Sequence, residues 1–130
     1  RRGGRAAVEQ VIEQGRERLA EGLWVVIFPE GTRVPFGQTG RFGLSGALLA
    51  QACGKPIVPI AHDAGRYWPR RGWLKRAGTI RVRIGPPIPT EGRDPRDVTA
   101  EVREWIEKAV AELGDERPES PAWNDTAPAT

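Results

Sequence analysis

Six consecutive apolar residues, Leu23-Trp24-Val25-Val26-Ile27-Phe28, are preceded by Gly22 and closed by Pro29. A short, continuous run rich in Val and Ile and bounded by turn residues predicts a strand buried on both faces. Such a strand needs a covering layer on each side, which points to an α/β arrangement. The run is also the longest wholly apolar stretch in the chain. A bilayer-spanning helix needs roughly 20 apolar residues, so none is expected here.

The flanking periodicity supplies the covering layers. Across residues 4–21 the apolar positions Val8, Val11, Ile12 and Leu19 recur at three- and four-residue steps among Glu and Arg, an amphipathic helix that Gly22 should stop. Residues 30–38 are then a loop at the strand's carboxyl end. A second helix is expected over residues 40–53, with Phe42, Leu44, Ala47, Leu48 and Ala52 for burial and Gly54 as its cap. Gly40, Gly43 and Gly46 weaken its start while permitting close backbone packing. Residues 56–61 predict a second strand, its prolines suited to an edge or to the ends of a ladder. Residues 79–84 alternate Ile80, Val82 and Ile84 with Thr79, Arg81 and Arg83, predicting a third strand with one apolar and one wet face.

Asp94-Pro95 is a strong helix start, with Asp94 as cap, Pro95 at the first position and Asp97 in the first turn. Val98, Val102, Trp105, Ile106, Ala109 and Leu113 form the apolar stripe of that last helix, which Gly114 should end. The expected fold class is therefore α/β, a small central sheet flanked by three helices, carried by residues 1–113. Residues 114–130 turn to Pro, Ser, Ala, Thr and acids with Trp123 as the one large apolar side chain, and they predict a disordered tail.

With 130 residues the chain suits one domain. Lys+Arg 20 against Asp+Glu 17 gives a formal charge of +3, too little by itself to suggest a nucleic-acid binder. One Cys excludes an internal disulfide framework and a multi-Cys zinc site, and one His excludes an HExxH metal site, so no metal is expected. The chain contains no Met and opens on Arg1-Arg2-Gly3-Gly4-Arg5 without the apolar segment of a signal peptide. It reads as part of a longer protein.

The stretch richest in chemistry is Phe28-Pro29-Glu30-Gly31-Thr32-Arg33, where a buried strand would deliver an acid, a hydroxyl and a base to its carboxyl end. Ligands of open α/β sheets bind at that end. Arg33 offers a planar fork of donors suited to phosphate, Gly31 admits close backbone approach and Thr32 adds a hydroxyl. The structural alternative is a turn holding a Glu30–Arg33 ion pair. Three other patterns fail on inspection. The glycines of 40–46 fall every third residue and do not make a dinucleotide fingerprint; Ser45 lacks the glycine spacing of a nucleophile elbow; and Pro56 follows Gly54-Lys55 where a P-loop needs Ser or Thr.

A second feature is local charge. Residues 66–83 hold seven bases (Arg66, Arg70, Arg71, Lys75, Arg76, Arg81, Arg83) and no acid, interleaved with Tyr67, Trp68 and Trp73. Rings and cations together suit the headgroups of an anionic bilayer. They also suit single-stranded nucleic acid, and a solvated loop with its tryptophans tucked inward is the structural alternative.

Phe28-Pro29-Glu30-Gly31-Thr32-Arg33 followed by Gly54-Lys55-Pro56-Ile57-Val58-Pro59-Ile60-Ala61 resembles the third and fourth sequence blocks of the 1-acyl-sn-glycerol-3-phosphate acyltransferases. Arg1-Arg2-Gly3-Gly4-Arg5-Ala6 resembles the tail of the second block. The similarity continues through Ala61-His62-Asp63-Ala64-Gly65, Trp68-Pro69-Arg70-Arg71-Gly72 and Ile84-Gly85-Pro86-Pro87-Ile88, and covers about residues 1–113. It implies transfer of a fatty acyl group from acyl-CoA or acyl carrier protein to a lysophospholipid acceptor, lysophosphatidate, with no metal or bound cofactor. Arg33 and Arg2 would hold the acceptor phosphate, Glu30 would orient its hydroxyl, and Gly31 and Thr32 would complete the site.

The resemblance also implies an anionic membrane partner met by Arg66, Trp68, Arg70, Arg71, Trp73, Lys75 and Arg76, with no nucleic acid expected. The implied location is the cytoplasmic face of the inner or plasma membrane, held peripherally or through preceding segments. The family's first block, a His and an Asp separated by four residues that act as catalytic base and orienting acid, is not found. His62 has Tyr67 in the acid's place, and a lone histidine at a strand end reads as a hydrogen-bonded structural residue. No catalytic residue is therefore assigned within the chain. A non-catalytic, anion-binding membrane module is the alternative from another class, and a basic nucleic-acid binder the third.

Overall fold

The computed structural model describes residues 4–31, 38, 40–68 and 74–116. Three helices and a short ladder follow in the order α1 (Arg5–Ala20), α2 (Ser45–Ala52), β1 (Ile60–His62), β2 (Val82–Ile84) and α3 (Pro95–Asp115). A single 3-10 turn, Ala64–Arg66, follows β1.

Glycines close the first two helices as expected. Gly22 has φ 81°, its N–H donates to the Leu19 carbonyl at 3.1 Å, and the Leu23 N–H donates to Arg18 at 3.0 Å. Gly54 repeats the device with φ 61° and bonds of 3.1 Å to Gln51 and, from Lys55, 2.9 Å to Ala50. A left-handed residue is what allows the chain to reverse onto the last free carbonyls, and glycine occupies that conformation without a Cβ penalty. At its start α2 is shorter than expected, beginning at Ser45 rather than residue 40. The entropic cost of helical Gly40 and Gly43 accounts for the loss.

α3 is the scaffold on which the rest is laid. Its cap is as read from sequence, the Asp94 carboxylate accepting from the Arg96 N–H at 2.8 Å with Pro95 at the first position. Val98, Val102, Ala109 and Leu113 are buried, whereas Trp105 and Ile106 are half-buried. Ala47, Ile88, Val98 and Val102 form the core, with Phe42, Ile57 and Ile106 packed against it. Beyond this, α1 packs on α2, α2 on α3 and α3 on β1. The helix runs through Gly114 to Asp115 instead of stopping at Gly114. Arginines from other elements satisfy the carbonyls at its end, which removes the need for a glycine stop.

The fold class is α/β, but its sheet is smaller than expected and is antiparallel. β1 pairs with β2 in the register Ile60↔Ile84, Ala61↔Arg83 and His62↔Val82, and an isolated bridge joins Ile57 to Ile88. The expected strands over 56–61 and 79–84 thus shrink to three residues each. Residues 23–28 are extended but belong to no ladder among the described residues. Val25 and Ile27 are half-buried, while Trp24 and Phe28 are 85% and 74% exposed. The expectation of burial on both faces is therefore corrected to burial on one.

The alternation of β2 was read with the wrong face inward. Ile80, Val82 and Ile84 are the exposed set, Ile84 at 70%, and Arg81 and Arg83 turn toward α3. The reason is electrostatic: the carboxyl end of α3 presents free carbonyls and the carboxylates of Glu112 and Glu116, and guanidinium groups satisfy both.

Candidate functional site

The turn after residue 28 is built by two backbone bonds. The Gly31 N–H donates back to the Phe28 carbonyl at 3.0 Å, with Gly31 at φ 64°, and the Gly43 N–H donates to the Pro29 carbonyl at 2.8 Å. The second bond ties the end of the extended segment 23–28 to the residues leading into α2. A Cβ at Gly46 would lie 3.7 Å from the Ile27 side chain, so the extended segment and α2's first turn lie side by side. That turn has Leu44 as its N-cap and no side-chain cap.

Glu30 is half-buried and has no hydrogen bond or ion pair to another described residue. Arg2, Thr32 and Arg33 lie outside the described residues, and with Arg33 so does the Glu30–Arg33 ion pair. Among the described residues there is no cluster of His, Cys, Asp or Glu able to hold a metal ion. No described helix is long and apolar enough to cross a membrane.

His62 is exposed, and its Nδ1 accepts the Ala64 N–H at 3.3 Å, a local contact that supports the turn after β1. The basic segment is divided by the fold. Arg66, expected in the membrane-facing set, is half-buried and donates to the Gly114 carbonyl at the end of α3. Arg81 and Arg83 serve the same helix end. Trp68, Lys75 and Arg76 are exposed, and Arg70, Arg71 and Trp73 lie outside the described residues.

Sequence reasoning overlooked Asp63. Its side chain is 0% exposed and accepts from the Arg81 N–H at 2.8 Å and from Arg81 Nε at 3.0 Å. Arg81 also donates from Nη2 to the Leu113 carbonyl at 2.6 Å and from Nη1 to Glu116 at 2.7 Å. Arg83 bonds both Glu112 and Glu116. One clasp therefore joins the turn after β1, strand β2 and the end of α3. An aspartate beside a strand-end histidine is a faint sequence signal, and its partner lies 18 residues away.

The described residues thus form an α/β chain in which the extended segment 23–28 turns at Gly31 and is tied to the approach to α2. Its structure resembles the crystal structure of the 1-acyl-sn-glycerophosphate acyltransferase PlsC from Thermotoga maritima, with TM-score 0.74, 24% identity and coverage of 83% of this chain and 46% of that one. The Acyltransferase family model matches residues 1–63. The chain is 47% identical to a 1-acyl-sn-glycerol-3-phosphate acyltransferase of Pseudomonas aeruginosa across 82% of its own length and 43% of that protein's. It is 34% identical to the human 1-acyl-sn-glycerol-3-phosphate acyltransferase alpha across 72% of its length and 34% of that protein's. The chain belongs to the 1-acyl-sn-glycerol-3-phosphate acyltransferase family, and it spans less than half the length of these relatives.

Proposed function

We propose that the chain supplies the acceptor-binding part of an enzyme that transfers a fatty acyl group from acyl-CoA or acyl carrier protein to lysophosphatidate, giving phosphatidate. The observations that support this reading are the Phe28-Pro29-Glu30-Gly31-Thr32-Arg33 sequence block and, among its described residues, the turn at Gly31 with the Pro29 carbonyl tied to Gly43 just ahead of α2. Lysophosphatidate presents a phosphate monoester and a hydroxyl on one small backbone. Arg33, with Arg2, would take the phosphate through forked donors, while Glu30 accepts a hydrogen bond from the hydroxyl and Thr32 adds a polar contact. Gly31, lacking a side chain, leaves the acceptor room at the turn.

Transfer then requires removal of the hydroxyl proton by a general base, attack of the oxygen on the thioester carbonyl and departure of the thiol. The family resemblance assigns the base to a His–Asp pair, which His62 and Tyr67 do not reproduce. No metal or bound cofactor takes part in this scheme. Acceptor and product are both membrane lipids while acyl-CoA or acyl carrier protein is a water-soluble cytoplasmic donor, so the proposed place of reaction is the cytoplasmic face of the membrane.

The test is a chimera of the Pseudomonas relative in which residues 1–113 replace the matching segment. It should make phosphatidate from acyl thioester and lysophosphatidate. Arg33→Lys in that chimera should lower kcat/KM by about tenfold or more, because an ammonium keeps the charge but not the fork. A folded chimera without transfer would overturn the reading, and an unchanged Lys variant would leave Arg33 as an ion-pair partner of Glu30.

A further inference from the structure

We propose that Trp68, Leu74, Lys75 and Arg76 form a docking surface for the headgroup layer of an anionic lipid bilayer. The sequence from Ala64 to Thr90 contains no acid. Among the described residues Asp63 is engaged by Arg81, and Glu112 and Glu116 by Arg81 and Arg83. Those arginines, with Arg66, hold the end of α3. Lys75 and Arg76 face no such neutralisation, since neither pairs with a carboxylate among the described residues.

The local geometry gathers cations and apolar groups at one place. The Arg76 N–H donates to the Tyr67 carbonyl at 2.9 Å, which brings the residues on either side of this bond together. Across it, Lys75 Nζ sits 3.8 Å from the centre of the Trp68 ring. Trp68 is 52% exposed and Leu74 81%. An aliphatic side chain held in water beside two cations gains on entering the boundary between headgroups and acyl chains, where the cations remain at the lipid phosphates. Nucleic acid fits the same groups less well. Lys75 covers one face of the Trp68 ring that a base would need for stacking, and Leu74 offers no ring at all.

The experiment is sedimentation of the 130-residue chain with phosphatidylcholine vesicles, with and without phosphatidylserine, beside a competition with single-stranded DNA. It involves no acyl transfer, so its outcome is separable from that of the chimera. Binding is expected with phosphatidylserine only, and it should be released as salt shortens the Debye length from about 10 Å at 0.1 M to about 3 Å at 1 M. K75Q/R76Q should weaken it on the order of 30-fold, from about 1 kcal/mol per base near the surface. W68A/L74A should weaken it without altering its salt dependence. R16Q/R18Q, which removes the same charge from the exposed side of α1, should bind like the parent. Equal binding to neutral vesicles, an equal loss in R16Q/R18Q, or preferential capture by DNA would each overturn the proposal.

Discussion

Asp63 is wholly buried, and a carboxylate without water is tolerable only where donors replace it. Arg81 provides two of them from a single residue, one from its backbone and one from its guanidinium. Removing one partner of a buried pair strands the other, so Asp63→Ala should cost about 3 to 5 kcal/mol in urea unfolding. Arg83 meets its two glutamates near the surface, where solvent screens the charges, and Arg83→Ala should cost no more than about 1 kcal/mol. Similar losses for both variants would show that burial is not what gives Asp63 its weight. Asp63 was invisible to motif reading because its importance comes from burial and from a partner distant in sequence. The Phe28–Arg33 block, by contrast, was legible as a family motif because its residues are contiguous.

At the level of elements, packing between β2 and α3 depends on a missing side chain. A Cβ at Gly85 would lie 2.6 Å from Cε2 and Cζ2 of Trp105 and 2.8 Å from Cγ of Pro59. Both neighbours are rings with little freedom to yield, so Gly85→Ala should destabilise by about 1 to 3 kcal/mol, the usual range for overpacking. A midpoint in urea equal to the parent's would mean that the Trp105 ring has room to turn. The start of α3 is a simpler case. Asp94→Ala removes the acceptor for the Arg96 N–H and should cost about 1 kcal/mol in the same measurement. Sequence signals for caps and stops held at Gly22, Gly54 and Asp94, where the physics is confined to neighbouring residues. Gly114 was misread because the carbonyls around it are satisfied by Arg66 and Arg81, which the chain brings back from far away.

Considered whole, the chain carries a single histidine, His62, with Tyr67 in the place where the family resemblance implies the orienting acid. Purified residues 1–130 should therefore show no phosphatidate synthesis above background, a loss of at least the roughly 10² to 10⁴-fold that general-base catalysis contributes. Radiolabelled acyl-CoA with lysophosphatidate is the direct assay, and measurable turnover would reinstate His62 as a base. The exposed rows of Trp24, Val26 and Phe28 and of Val82 and Ile84 mark surfaces that monomeric proteins seldom leave open. Concentration-dependent self-association of the isolated chain, followed by sedimentation velocity, is the expected consequence. A monomer at all concentrations would show those rows to be compatible with water.

What the sequence determined by itself was whatever depends on near neighbours. Helix periodicity, caps, glycine stops and the contiguous Phe28–Arg33 block were all readable, and the fold class followed from them. Tertiary structure alone decided which face of β2 turns inward, because alternation says that two faces differ without saying what waits opposite each. The end of α3 waits there, with free carbonyls and glutamates, and it draws in Arg81 and Arg83 while Val82 and Ile84 face out. The basic segment was divided by the same cause. Seven bases look alike in a string, but only a folded helix end separates Arg66, Arg81 and Arg83, which are bound to it, from Lys75 and Arg76, which pair with no carboxylate among the described residues. A strand's inner face and an arginine's role depend on charges brought near by folding, and sequence distance carries no record of them.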